Sequence, residues 1–600
     1  MTDIRKVSTY LALLFLAVLA IPVAAAADAT HGLAMHGEVK YPKDFTHFDY
    51  VNPDAPKGGE LRMAVVANGY DSFNPFIARG VAAAGIDTYL YDTLLASSDD
   101  EPFSVYGLIA ETIETPEDRS HVIYNLREEA RFQDGEPITA EDVKFSFELL
   151  TEEGHPRYRS YYQDISKVTV EGPRRVRFDF SGTVNRELPL ILGQLPILPS
   201  HYWQDRTFGD NGLDRPVGSG PYRIGKFEAG RSVSYDRVKD YWARNLGPRK
   251  GRFNYDTITY EYYTDDTVAL ESFRAGNYDY RVESQAKNWA TAYTGSAFTS
   301  GKITKEAIEH NRPAGMQAFV FNTRRDVFKN PAVRRALAYG FDFQWANSNL
   351  FFGQYTRTNS YFENSELASS GLPQGRELEI LEPYRDQLPE EVFTEAYQPP
   401  STGDGRTMRD NLREALTQLR DAGYAIEDGT MINKATGEPL KFEVMLFQKT
   451  FERVILPFKN NLKRLGIEVT VRLVDSNQYA ERWRTRDFDV TVGVFPQSDS
   501  PGNEQRGYWH SSSATQDATR NLAGVNDPVI DELVDYLIGA PNREELVHRT
   551  RALDRALLHG HYVIPNWFLA SDRMAYWSFL KRPDTVPKNG ADVNNWWVER

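Results

Sequence analysis

Three features of the sequence predict an α/β fold with more than one domain. Strand and helix patterns alternate between residues 408 and 494, and this order is typical of a parallel sheet with right-handed crossovers. The last strand of the series, 488–494, alternates Val490, Val492 and Val494 with small or polar residues, as a half-buried strand does. The chain also has 600 residues, more than a single hydrophobic core usually supports.

Strand patterns dominate the first half of the chain. Apolar alternation and bounding turns predict strands at 61–67, 120–127, 167–170, 174–180, 222–228, 232–235, 257–263 and 317–322. Helices are predicted at 85–95, 139–150 and 267–275, and the second begins at a capping box formed by Thr139 and Asp142. The apolar stretch 188–199 contains three prolines, so we predict a buried connector there.

Helical patterns are more frequent in the second half. Helices are predicted at 330–339, 408–422, 451–465, 478–485, 528–538 and 542–558, and strands at 440–447, 467–473, 488–494 and 562–569. The segment 365–405 contains five prolines and little regular pattern. A loop of this length inside a domain usually has a purpose, such as covering a partner surface.

The segment after strand 488–494 carries the first candidate binding residues. In parallel α/β sheets, ligands bind beyond the carboxyl ends of the strands. This rule places 495–503 at a site, and the segment then closes on two large aromatic residues. The candidates from this segment are Phe495, Gln497, Asp499, Asn503, Glu504, Arg506, Tyr508 and Trp509.

Composition excludes several classes of function. The formal charge is −15 and no basic run occurs, which argues against a nucleic-acid partner. The chain has no cysteine, so it can form neither a disulfide nor a thiolate nucleophile. Aromatic residues make up 13% of the chain, which suits a large core and sites that hold ligands by apolar contact.

Residues 1–27 have the pattern of a cleaved secretory signal. Arg5 and Lys6 precede an apolar stretch at 11–23, and four alanines at 24–27 supply a small-residue cleavage site. The apolar stretch is short for a membrane span of about 20 residues, and Pro22 interrupts it. The mature chain is therefore expected to be a soluble exported protein, most consistent with a bacterial periplasm.

No signature of a common enzyme class is present. The sequence lacks H-E-x-x-H, G-x-S-x-G and GxxxxGK[ST] motifs. His548, His559 and His561 lie close together in sequence, but surface or helix-end positions explain them better than a metal site. We predict no catalytic residue, no metal and no cofactor. A glycosidase pair of acids remains an unsupported alternative.

Several ordered motifs resemble one family. They are YPKDFTHFDYVNPDAPKGGELRMA, FNPF, FQDGEPITAEDVKFSFE, GSGPY and FNTRRDVFKNPAVRRALAYGFD. Together they resemble the periplasmic oligopeptide-binding proteins of ABC importers, the family 5 extracellular solute-binding proteins. FDYVNPDAPKGG and SPGNEQRGYWH are similar to the Yej-type subgroup, which is associated with peptides and microcin C.

This resemblance implies a two-lobed periplasmic binding protein of class II, similar to cluster C, with an extra small domain and a hinge. Lobe I would comprise 28–79, 202–311 and 562–600, the inserted small domain 80–201, and lobe II 312–561. The hinge would lie near Asn311 and His561.

The resemblance also implies roles for two groups of residues. Asp499 occupies the position of an acid that pairs with the amino terminus of a bound peptide, although QSDSPGNEQ differs from the family's usual W-x-x-D-Y-x-x-P. Arg79, Gly80 and Val81 would pair with the peptide backbone as an added strand. The other lobe I candidates are Tyr70, Asp71 and Phe73.

The function that the resemblance implies is capture of oligopeptides, or peptide-like antibiotics, for delivery to the membrane permease of an ABC importer. A monomer is expected. One alternative keeps the fold and changes the cargo to an opine, a sugar or a nickel complex. Another is a secreted hydrolase on a related scaffold.

We predict that the mature protein begins at Asp28 or one residue earlier, because small residues precede this position. N-terminal sequencing of the protein recovered from the periplasm tests this. A membrane-bound product that retains Met1 would contradict it.

Overall fold

The computed structural model describes residues 28–181, 185–210, 212–403, 405–516 and 519–599, and the predicted signal peptide lies outside these residues. Two lobes, each built on one large mixed sheet, make up the described chain, and a small domain packs on lobe I. This architecture confirms the predicted α/β class.

The sheet of lobe I has seven strands. In spatial order they are Ile303–Glu309, Ser571–Trp577, Tyr280–Val282, Glu60–Val66, Thr257–Tyr263, Ser232–Arg237 and Tyr222–Glu228. Glu60–Val66 runs parallel to both Thr257–Tyr263 and Tyr280–Val282, so these three strands have their carboxyl ends at one edge. The hairpin of Tyr222–Glu228 and Ser232–Arg237 turns at Ala229 and Gly230, as the sequence predicts.

The small domain contains two antiparallel sheets. One has the strands Ala110–Glu114, His121–Leu126, Arg175–Phe180 and Ile165–Gly172, and the other has Gly32–Ala34, Ser104–Gly107 and Leu95–Ser97. Gly32–Ala34 therefore joins the small domain and not the lobe I sheet, contrary to the predicted boundary at residue 80. One continuous hydrophobic core contains Leu61 and Tyr235 of lobe I together with Val122 and Phe178 of the small domain.

The sheet of lobe II has five strands, in the order Glu468–Leu473, Lys441–Leu446, Val490–Phe495, Met316–Phe321 and Val563–Pro565. The first three are mutually parallel, which confirms the predicted parallel unit. Met316–Phe321 is antiparallel to both of its neighbours, Val490–Phe495 and Val563–Pro565, so the sheet is mixed. Val563–Pro565 and Trp567–Phe568 both pair with strands of lobe II, so the chain returns to lobe I after Phe568 and not at the predicted residue 562.

Helices cover both faces of the lobe II sheet, and the apolar residues under them form two separate buried clusters. The helices of eight or more residues in the described chain are Ala140–Glu152, Asp266–Arg274, Pro331–Ala338, Phe343–Leu350, Met408–Asp421, Glu452–Lys463, Ser476–Arg484, Pro528–Ile538 and Arg543–His559. Thr139 and Asp142 form the predicted capping box of the first.

Two predictions of local structure are wrong. The proline-rich stretch 188–199 begins with the helix Leu188–Gly193, because Pro189 lies in its first turn, where a missing N–H is tolerated. The helix predicted at 85–95 ends at Leu90, and the strand Leu95–Ser97 follows.

The long segment 365–405 is held against helix Arg543–His559 by two buried charges. Asp554 accepts hydrogen bonds from Tyr361 N–H (2.8 Å) and from the N–H and hydroxyl of Ser369 (2.9 and 2.6 Å). Arg555 forms an ion pair with Glu377 (2.7 Å) and donates to the carbonyl of Gly371. Short helices Gly375–Leu381 and Glu391–Thr394 lie within the segment, so it is an ordered cover for lobe II. No helix among the described residues is long and apolar enough to cross a membrane.

We expect Glu377→Ala to destabilise lobe II by roughly 3–5 kcal/mol, because the buried Arg555 guanidinium would lose its counter-charge. Glu379→Ala is the matched control on the same helix. Its carboxylate is largely exposed beside Arg376, so its removal should change stability by less than about 1 kcal/mol. Denaturant unfolding of both variants measures the difference, and equal effects would contradict the role of the buried pair.

Candidate functional site

The chain passes between the lobes twice, at 310–315 and 569–570. His310 N–H donates to the Ala570 carbonyl (3.0 Å), so the two crossings are bonded to each other. Beside them, Arg312 pairs with Asp572 (2.5 Å) and donates to the Asn589 carbonyl (2.7 Å). Gly315 has φ +66°, and a Cβ there would lie 2.5 Å from the Phe495 carbonyl oxygen. The first crossing is therefore packed directly against the end of strand Val490–Phe495.

A cavity of about 580 Å³ opens next to these crossings, between the small domain and lobe II. Lobe II contributes the loop after strand Val490–Phe495, as the strand-end rule predicts. The described lining residues are Ser97, Ser98, Glu101, Phe103, Ser104, Glu187, Gln194, Arg312, Pro313, Pro496, Gln497, Ser498, Asp499, Ser500, Glu504, Tyr508 and Asn589. Four of these are acids and one is basic, so the lining is acidic.

Aromatic packing positions the loop. Trp509 is fully buried, lies 4.6 Å from the Phe495 ring and 4.8 Å from the Tyr361 ring, and donates its indole N–H to Gln505 (2.9 Å). Phe495 and Trp509 therefore support the loop from below, whereas Gln497, Asp499, Glu504 and Tyr508 line the cavity itself.

The Asp499 carboxylate, which is expected to pair with the amino terminus of a peptide, already has a partner within the chain. Lys588, from the tail of lobe I, donates to Asp499 Oδ1 at 2.5 Å, and Arg543 donates to the Asp499 carbonyl. The Asp499 side chain is 9% exposed, so this ion pair is largely shielded from water. The pair joins lobe I to lobe II at the cavity wall.

Two further carboxylates meet at Gly502. Glu504 accepts from Gly502 N–H at 3.1 Å through both oxygens, and a Cβ on Gly502 would lie 1.4 Å from Glu187 Oε1. Glu187 belongs to the small domain and is 8% exposed. Burial, reinforced by the nearby Glu504 charge, raises the pKa of Glu187 to about 8. Glu504 is exposed and lines the cavity, and partial desolvation of its carboxylate raises its pKa.

The predicted lobe I residues do not line this cavity. Tyr70 and Phe73 are buried in the lobe I core with their rings 5.8 Å apart. Val81 is exposed, but its N–H donates to Asp71 Oδ1 (2.6 Å) and its carbonyl accepts from the N–H groups of Asp71 and Ser72. Both backbone groups of Val81 are thus engaged, contrary to its predicted pairing with a peptide.

The remaining predicted residues, Arg79, Gly80, Arg506 and Asn503, lie outside the cavity lining. Arg79 and Gly80 are exposed and stay predicted contacts for a peptide backbone. Arg506 pairs with Asp535 (2.8 Å) and does not line the cavity. The backbone of Asn503 lies near Glu187 across the domain boundary and lowers the pKa of that carboxyl, which burial and the Glu504 charge raise overall.

Sequence reasoning missed two sets of residues. Glu101, Phe103, Glu187 and Gln194 come from the small domain, and no local pattern marks them as cavity residues. Exposed apolar side chains also stand at or just after the carboxyl ends of the parallel strands of both lobes, and the strand-end rule could have found them. They are Val66 and Val282 on lobe I and Phe447, Leu473 and Val494 on lobe II.

Within the described residues, no group of three or more His, Asp or Glu side chains could hold a metal ion. His559 and His561 do lie together, and burial lowers their pKa values to about 4 and about 3. The cavity is lined by carboxylates, amides and aromatic rings, and neither histidine lines it.

A cavity between two lobes that the chain crosses twice defines a two-lobed ligand-binding protein. The chain belongs to the bacterial extracellular solute-binding proteins of family 5, whose middle-region sequence model matches residues 104–517. Members of this family bind solutes. The probable peptide-binding protein YejA of Agrobacterium fabrum is 43% identical over 593 residues, which cover 96% of each chain.

Solved structures share the fold at low sequence identity. The oligopeptide-binding protein AppA of Bacillus subtilis, solved with a nonapeptide, matches with a TM-score of 0.67 and 19% identity, over 91% of this chain and 100% of that one. NikA of Brucella suis, solved with Fe(III)-EDTA, matches with a TM-score of 0.68 and 17% identity, over 90% and 100%. These matches support the two-lobed fold that the sequence predicts.

We expect the Lys588–Asp499 pair to stabilise the contact between the lobes. A double-mutant cycle of Asp499→Ala and Lys588→Ala should give a coupling energy of about 1–3 kcal/mol in unfolding experiments, because either single variant leaves a shielded charge without its partner. The exposed pair Arg413–Asp410 is the control, with a coupling of about 0.5 kcal/mol or less. Coupling near zero at Asp499 would indicate that its carboxylate is available to a ligand.

Proposed function

We propose that the mature protein is a periplasmic receptor that captures oligopeptides between its lobes and delivers them to the permease of an ABC importer. The observation that carries this proposal is the cavity at the carboxyl end of strand Val490–Phe495, which both the small domain and lobe II line. Exposed apolar side chains at the strand ends of both lobes suit a ligand with apolar side chains of its own.

The acidic lining favours a peptide over an anionic metal chelate. An anion in this cavity would be repelled by Glu101, Glu187 and Glu504. The basic residue that lines the cavity, Arg312, is already paired with Asp572. A peptide brings a cationic amino terminus as well as backbone donors. The membrane partner would then be a permease of the peptide class, and the receptor would act as a monomer.

Calorimetric titration of the purified mature protein with free-amine tri- to octapeptides tests this function, and mass spectrometry of material that co-purifies identifies the natural cargo. We expect peptide to bind and to be recovered intact. Small-angle scattering should then show a smaller radius of gyration with saturating peptide, because a ligand that contacts both lobes favours the closed arrangement.

Recovery of cleaved peptide would favour the hydrolase alternative. Co-purification of a sugar, an opine or a metal complex, with no affinity for any peptide, would assign a different cargo to the same fold.

A further inference from the structure

We propose that Glu187 and Glu504 form an acidic clamp that binds a cationic group of the ligand between the small domain and lobe II, and that releases a proton when it does so. This inference rests on the proposed function and specifies the chemistry of the ligand. The cation could be the ammonium of a peptide amino terminus or a basic side chain, and the experiment below separates these two sources.

The carboxylates of Glu187 and Glu504 both lie against Gly502. Glu504 accepts from Gly502 N–H, and Glu187 Oε1 occupies the space that a Cβ on Gly502 would fill. Both carboxylates lie against Gly502 and the Glu504 charge helps to raise the pKa of Glu187, so ionisation of both is unfavourable unless a cation lies between them. Among the described residues, neither carboxylate forms an ion pair with a basic side chain.

The basic groups nearest the clamp are engaged elsewhere. Lys588 pairs with Asp499, Arg312 with Asp572, and Arg543 with Glu366. Arg520 donates to the Tyr508 hydroxyl (3.0 Å) on the lobe II side.

On the small-domain side, no ion pair joins Glu187 to either of the nearby arginines, Arg119 and Arg186, among the described residues. Arg119 donates to the carbonyls of Ala34 and Arg186. His36 lies among Arg119, Arg186 and Arg543, and burial together with their charges lowers its pKa to about 4. Glu101 accepts from the Tyr106 hydroxyl (2.5 Å), so it adds negative charge to the cavity but is itself hydrogen-bonded.

A second observation in the same cavity points to a ligand. Ser500 is 4% exposed and its hydroxyl has no partner, and Gln497 Nε2 is likewise buried without one. Both residues line the cavity on the lobe II side. Buried polar groups without partners are uncommon in native structures, and a bound peptide offers donors and acceptors for both. The clamp and these two groups therefore describe one polar subsite.

The sign of the pH dependence follows from the clamp. Protons and the ligand cation compete for the same carboxylates, and the raised pKa of Glu187, about 8, keeps a proton on the empty pair at neutral pH. Affinity should therefore rise from about pH 5.5 to about pH 7.5, a range in which a peptide ammonium stays largely charged. Calorimetry in buffers of different ionisation enthalpy should show that protons are released on binding.

The test uses three tripeptides: Ala-Ala-Ala with a free amino terminus, the same peptide N-acetylated, and N-acetyl-Ala-Lys-Ala. We expect Glu187→Gln and Glu504→Gln each to weaken binding of the cationic probe by about tenfold or more and to abolish the proton release. Glu111→Gln, an exposed position on the small domain, is the control and should bind as the parent does. Thermal melting confirms that each variant is folded.

The outcomes separate the possibilities. Binding of the free-amine peptide alone assigns the clamp to the amino terminus, whereas binding of the acetylated lysine peptide assigns it to a basic side chain. Equal affinity of the parent and both Gln variants overturns the clamp and leaves the peptide receptor intact. If the parent binds none of the peptides of the wider series, the proposed function itself fails, and the clamp fails with it.

Discussion

The way in which the chain passes between its lobes constrains the rest of the structure. At 310–315 the backbone runs so close to the end of strand Val490–Phe495 that Gly315 cannot be replaced without displacing the Phe495 carbonyl. The same strand end begins the loop that lines the cavity, and Trp509 supports that loop from the lobe II core. The first crossing, the end of the sheet and the loop that lines the cavity are thus packed directly against one another.

Charge distribution around the cavity follows from the cost of burying ions. Most buried charges in the described chain have a partner, as Arg555 has Glu377 and Asp499 has Lys588. Glu187 departs from this rule, because it is buried beside Glu504 without an ion pair to a basic side chain. Departures of this kind cost stability and tend to occur at functional sites, where the ligand supplies what the protein lacks.

The sequence predicts the lobe II part of the site well and the rest poorly. Period-two alternation and the strand-end rule locate Gln497, Asp499 and Tyr508 at the cavity, because these depend on local order along one strand and its loop. The partner of Asp499 could not be predicted, since Lys588 lies 89 positions away and no local pattern joins the two. Glu187 could not be identified as a cavity residue from the sequence either, because the residue it contacts, Gly502, belongs to another domain. The helix Leu188–Gly193 is not predicted because it contains Pro189. A proline is tolerated in the first turn of a helix but not in its interior, and the sequence does not show where this helix begins.

The continuous core that joins the small domain to lobe I has a mechanical consequence. Residues such as Val122 and Tyr235 are packed into one apolar cluster, so separating the small domain from lobe I would expose that cluster to water. Glu187 is therefore fixed to lobe I, and if the lobes close around a ligand as proposed, Glu504 would move relative to it about the two crossings. Such an opening would separate the two acids and expose Glu187 to solvent, where its affinity for a proton would fall toward the ordinary value. The protonation state of this pair would then depend on the angle between the lobes. A lower pH would favour the closed arrangement even without a ligand, because the pKa of Glu187 is raised in that arrangement.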